Sequence, residues 1–110
     1  MMIELNELKH QCRIDADDDH DDQYLLMLMR AAQQYITKYL NRSVRWERTS
    51  TGDENEIPMY DDIKLVVLML VAGWYENRES ISDNAMRKVP MTVDLILGQY
   101  RLGTSGYLSI

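Results

Sequence analysis

The chain has 110 residues, 45% of them hydrophobic, enough for one domain with a core of modest size. A formal charge of -6 and an isoelectric point near 4.8 oppose adhesion to phosphate backbones or anionic lipid, because nucleic-acid modules usually carry a basic face. The single cysteine, Cys12, excludes an internal disulfide, and the opening MMIELNELK lacks the basic flank and long apolar core of a secretory signal, so a reducing cytoplasm is expected. Phe is absent while Met occurs eight times, which predicts a core of Met, Leu and Val around Trp and Tyr, with no cofactor box implied.

Leu5, Leu8 and Cys12 stand at i, i+3 and i+7, which predicts a short first helix ending near Arg13. Glu4 is a weak cap, so its first turn is expected to fray. His10 and Cys12 are two residues apart and point in different directions on a helix, so they form no catalytic dyad by themselves. The acidic run Asp15 to Asp22 places carboxylates at Asp15, Asp17, Asp19 and Asp21 in the rhythm of a calcium loop. Its sixth position is His20 instead of Gly and its twelfth Leu26 instead of Glu, so metal binding is not expected. The run reads instead as charge gathered before a helix, with Asp19 or Asp21 as cap.

A long amphipathic helix follows from about Asp21 to Asn41, with Leu25, Leu28, Met29, Ala32, Ile36 and Leu40 on one face and Gln33, Gln34, Thr37 and Lys38 on the other. Residues 42–56 read as an extended loop or small hairpin, with Val44 and Trp46 alternating against polar neighbours and a turn at Thr51-Gly52-Asp53. Arg42, Arg45 and Arg48 around Trp46 form a basic-aromatic patch that Glu47, Asp53, Glu54 and Glu56 largely cancel.

The stretch Ile57 to Arg78 is the most apolar of the chain. Ile63, Val66, Val67, Leu70, Val71 and Trp74 recur at helical steps, and Leu65, Leu68, Met69, Ala72 and Tyr75 fill the other faces, so this helix is expected to be buried nearly all round. Pro58 is placed in its first turn, with Asp61 and Asp62 near the positive end of the dipole. The uninterrupted run, Leu65 to Tyr75, falls well short of the roughly 20 residues that span a bilayer. Residues 79–89 read as a connector, Pro90 opens a last helix from Met91 to about Gly98, and 102–110 is a glycine-rich tail. That tail is either a frayed terminus or a flexible arm that orders on a neighbour through Tyr107, Leu108 and Ile110. The fold class is therefore all-α, a single-domain bundle of about four helices, two long and two short, with core residues Val66, Val67, Leu70, Val71 and Trp74. No catalytic set, cofactor site or metal site emerges from the pattern.

Four segments share an order and spacing that carries further information. Leu8-Lys9 through Cys12-Arg13-Ile14-Asp15 leads into the acidic run, and Ala31-Ala32 through Tyr35-Ile36 and Tyr39-Leu40 follows. Ile57-Pro58 and Ile63-Lys64 then lead into Trp74-Tyr75-Glu76-Asn77-Arg78-Glu79, and Val89-Pro90 runs through Leu97 to Tyr100 and Arg101. From about residue 4 to 101 this resembles the small head-to-tail connector (adaptor) family of long-tailed double-stranded DNA phages and prophages. Most segments are mainly helix packing; Tyr75 to Glu79 followed by Val89-Pro90 and Tyr100-Arg101 is the more telling combination. Glu4 in place of a hydroxyl cap, Gly73 within the core helix and the glycine-rich tail depart from the family pattern.

The resemblance implies a non-enzymatic virion protein at the head-tail junction, present in the host cytoplasm before assembly. It implies a homo-oligomeric ring of about a dozen subunits between the portal protein and the tail-completion protein, through which DNA passes without specific binding, and no membrane partner. Tyr75, Asn77, Arg78, Glu79, Tyr100, Arg101 and Tyr107 are the expected subunit or partner contacts; for Arg78, Glu79 and Arg101, pairs within one subunit are an equal reading. The competing class is a helical protein-interaction module that dimerises.

Overall fold

The computed structural model describes residues 3–77 and 91–101. Among these the chain forms α1 (Leu5–Gln11), α2 (Asp22–Leu40), β1 (Val44–Arg45), β2 (Ile57–Pro58), α3 (Asp61–Glu76) and α4 (Met91–Gly98). This is the small all-α bundle that the periodicity predicts. The connector after Arg78, Pro90 and the tail from Leu102 lie outside the described residues.

The long helices α2 and α3 share the most extensive contact, with α1 against both and α4 closing the far side. Leu25, Leu28, Met29, Ala32, Ile36 and Leu40 of α2 are buried, as are Ile63, Val66, Val67, Leu70, Val71 and Trp74 of α3. Val93 and Leu97 of α4 join the same cluster, with Ile3 and Leu8 at the N-terminal side. Each such aliphatic side chain contributes about 1.5–3 kcal/mol when removed from water, so this seam supplies most of the stabilisation.

The first turn of α1 does not fray as expected. Glu7 reaches back to accept the Glu4 N–H at 2.9 Å, the reciprocal half of a capping box, and is itself paired with Lys64 of α3. The Glu4 backbone contact and then Lys64 hold its carboxyl below the ordinary value. The helix ends where Arg13 takes φ 60°, which lets the Ile14 N–H return to the Lys9 carbonyl at 2.8 Å.

At the start of α2 the expected side-chain cap is not made. Asp21 occupies the cap position, but its Oδ2 accepts the Tyr75 hydroxyl of α3 at 2.6 Å. Asp22 pairs instead with Lys9, whose Nζ lies 2.9 Å from Asp22 Oδ1 and donates to the Ala16 carbonyl at 3.0 Å. Lys9 is only 4% exposed, and a buried ammonium is tolerable only with such partners. The C-terminus behaves as expected, with Asn41 at φ 56° and its N–H on the Thr37 carbonyl.

The segment between the long helices is not a hairpin. β1 and β2 pair in parallel, Val44 opposite Ile57 and Arg45 opposite Pro58, because the chain loops fully round before returning. The Ser43 carbonyl takes the Ile57 N–H at 3.0 Å. That pairing moves Pro58 out of the helix, and α3 begins three residues later than Pro58, at Asp61. The loop is closed by its own polar groups: Asp53 accepts from the Ser43 and Asn55 N–H groups, and Gly52 supplies the φ of 86° that the turn needs. Glu56 accepts from the Thr51 N–H and from Arg45.

Glu56 thereby becomes a pH-sensitive part of the loop. Its hydrogen bonds from Thr51, followed by Arg45, lower its pKa from 4.5 to about 2, so its contribution is present above 4.5 and is lost as pH falls toward about 2. The melting temperature of wild type should exceed that of Glu56→Gln most clearly above pH 4.5, and the gap should shrink across that window. A gap independent of pH would show that the carboxylate charge does not hold the loop. In the core, Val67→Asp buries an unpaired charge at a fully buried position and should cost about 3 to 5 kcal/mol. Circular dichroism melts should show the domain largely unfolded; an unchanged melt would mean that this face tolerates water.

Candidate functional site

The core-facing row of α3 is buried, but the helix is not covered all round. Leu65, Leu68, Met69 and Ala72 occupy the opposite side at i, i+3, i+4 and i+7, where Leu65 is 47% exposed and the other three are half-buried. Among the described residues α1, α2 and α4 therefore leave this side of α3 incompletely covered, so burial nearly all round is not reached by them alone. Leu95 of α4, at 66% exposure, is a second apolar residue facing out.

The expected contact residues fall into two groups. Tyr75 lies near the end of α3, its hydroxyl on Asp21 and its aromatic ring 6.3 Å from that of Tyr24. Asn77 caps the same helix, donating from Nδ2 to the Gly73 carbonyl at 2.9 Å, and is exposed. Tyr100 and Arg101 follow α4. Tyr100 stacks on Tyr60 with centroids 5.5 Å apart, donates from its hydroxyl to Asp62 Oδ2 at 2.7 Å, and offers its carbonyl to Arg42 Nη1 at 3.1 Å. The Arg101 guanidinium lies 5.1 Å from the centre of the Tyr39 ring. Arg78, Glu79 and Tyr107 lie outside the described residues.

Two of the three arginines of the basic-aromatic patch are taken up by their own loop. Arg42 Nε donates to the Asn55 carbonyl at 2.8 Å and Arg45 pairs with Glu56 at 2.9 Å, which leaves neither as a free phosphate ligand. Cys12 is half-buried; burial and then the Glu76 charge push its thiol above the ordinary value, and His10 is exposed. A protonated thiol is a poor nucleophile. Among the described residues no three His, Cys, Asp or Glu side chains gather as metal ligands, and no helix is long and apolar enough to cross a membrane.

Two features escaped the sequence pattern. Lys9 reads as a surface lysine until its partner Asp22 is brought to it by tertiary structure. Arg30, Gln34 and Lys38 are spaced four apart on the outer face of α2 and line a groove of about 440 Å³ with Val44, Trp46 and Thr51. The four-residue spacing is visible in the sequence; the opposing wall is not.

The described residues form a small helical bundle with a partly exposed apolar stripe on α3 and with Tyr100 pinned to the start of that helix. The chain belongs to the family described as Phage gp6-like head-tail connector protein, whose model matches residues 2–101. That family is structural and acts at the junction of phage head and tail. Neither the curated proteins nor the solved structures gave a match.

The pinning of Tyr100 can be measured. The Asp62 hydrogen bond, followed by burial, raises its pKa from 10.0 to about 12, so the phenol contributes fully below pH 10 and its contribution is lost as pH rises toward about 12. Tyr100→Phe keeps the stack on Tyr60 and should cost about 1 kcal/mol at neutral pH. The difference from wild type in thermal melts should vanish toward pH 12; equal melting at neutral pH would show that the hydroxyl adds nothing.

Proposed function

We propose that the chain is one subunit of a closed ring between the portal and the tail at the capsid vertex, through which DNA passes and on which tail-completion proteins dock. The observation that carries this reading, beyond family membership, is the incompletely covered Leu65, Leu68, Met69, Ala72 stripe of α3. An apolar helix side in so small a domain is satisfied when a neighbour covers it, and repeated contacts between unlike surfaces close into rings. The net charge of -6 supports the same reading from the other side, since an acidic lumen repels phosphate where a basic one grips it by counterion release.

In such a ring Tyr75, Asn77, Tyr100 and Arg101, with Arg78, Glu79 and Tyr107, supply contacts to neighbouring subunits or to the portal and tail proteins. The hydroxyls of Tyr75 and Tyr100 are spent inside the subunit, so those two side chains contribute through their aromatic rings. Core residues Val66, Val67, Leu70, Val71 and Trp74 hold the α3 stripe in position from behind.

Light scattering over a concentration series, followed by imaging of the largest species with and without portal particles, tests the reading. The expected outcome is a cyclic particle of about a dozen subunits, formed alone or on the portal. A strict monomer or a twofold dimer at the highest soluble concentration, with no ring on added portal, would leave a helical interaction module as the better description.

A further inference from the structure

The groove on the outer side of α2 carries exposed positive charge. Arg42, Arg45, Lys9 and Lys64 are all engaged by named partners, whereas Arg30 and Lys38 are exposed and have no ion-pair partner among the described residues. They flank Gln34 on one wall, and the half-buried Trp46 with Val44 and Thr51 forms the other. Met27, 54% exposed, sits one turn before Arg30 and extends the same face.

Exposed negative charge lies at a different place. Asp21 and Asp22 turn inward to Tyr75 and Lys9, but Asp15, Asp17 and Asp19 are exposed on the turn before α2. That turn has a fixed shape, since the Asp18 N–H donates to the Asp15 carbonyl and the Asp18 carboxylate accepts the His20 N–H, each at 3.0 Å. We infer that the Arg30, Lys38 and Trp46 groove receives the Asp15 to Asp19 turn of a neighbouring copy of this chain.

Distance rules out the same contact within one chain. Arg30 and Lys38 lie roughly 12 and 24 Å along α2 from Asp22 at 1.5 Å per residue, so a rigid turn at the helix start cannot fold back onto them. A second copy reaches them by a shift along the helix, and turn-into-groove joins two unlike surfaces, the arrangement that propagates and closes into a ring. Charge complementarity selects the occupant: a row of carboxylates meets two exposed cations, and the Trp46 indole offers an apolar surface for the turn backbone. Duplex DNA fits less well, because a phosphate-tracking groove needs a longer row of cations and the adjacent Arg42 and Arg45 are already bound.

The contact rests on the ring reading above, and the test separates the two. Full-length protein is followed by sedimentation velocity at low and high salt, as wild type, as R30E/K38E, as D17K/D19K, and as the chain carrying all four changes. Each substituted side chain is exposed, so circular dichroism should show all variants folded. Wild type should self-associate at low salt and dissociate as salt rises. Each charge-reversed pair should weaken association on the order of tenfold or more, and the fourfold variant should recover it because the signs match again. An equimolar mixture of the two pair variants should also associate, since each supplies what the other lacks. Association of R30E/K38E equal to wild type would overturn the contact while leaving the ring intact. A wild type that stays monomeric at low salt would also overturn it, and assembly on portal particles would then decide the ring separately. Duplex oligonucleotide binding by wild type that R30E/K38E abolishes would reassign the groove to nucleic acid.

Discussion

The lengthwise seam between α2 and α3 is the constraint on which everything else hangs. Two apolar rows, Leu25 to Leu40 and Ile63 to Trp74, exclude water from each other, and the polar contacts at their borders follow from the register this seam imposes. Tyr75 reaches Asp21 only because the end of α3 lies beside the start of α2. Lys9 finds Asp22, and Lys64 finds Glu7, because α1 is laid across the same seam. None of these polar pairs would bring the helices together alone; each becomes favourable once the apolar rows have excluded water and fixed the distance.

The seam also explains why the surface has the character it has. Among the described residues α1, α2 and α4 pack on a helix of 16 residues whose side chains are apolar on nearly every face, and the Leu65 to Ala72 side is only partly covered. In a larger domain another helix of the same chain would cover it. Here the chain belongs to the phage head-tail connector family, and the partly exposed stripe is the feature on which the proposed ring contact rests.

Much of the bundle was legible in the sequence because helical periodicity is a local signal. The Leu25, Leu28, Met29, Ala32 spacing locates α2 to within a residue at each end, and the Val66, Val67, Leu70, Val71 spacing places the body of α3, without any long-range information. What was not legible depended on partners distant in sequence. Pro58 looked like a helix starter because proline tolerates that position, and only the Ser43 carbonyl, fourteen residues earlier, draws Ile57-Pro58 into a strand. Asp21 looked like a cap because carboxylates favour helix starts, and Tyr75, far along the chain, takes its oxygen instead. The outer groove was half visible, in the Arg30, Gln34, Lys38 spacing, but its second wall comes from Trp46 across a loop whose path no periodicity describes.

The attachment of residues 100 and 101 has a mechanical meaning. Tyr100 is held through its hydroxyl by Asp62 and through its carbonyl by Arg42, and Arg101 lies on Tyr39. Arg42 also grips Asn55, so the end of α4, the loop, the head of α3 and the tail of α2 meet at one knot. A force entering the chain at Arg101 therefore loads several attachments in parallel and is delivered to the two longest helices together. Peeling α4 away one contact at a time, the weakest mode of failure for a short terminal helix, is not the path that this geometry offers.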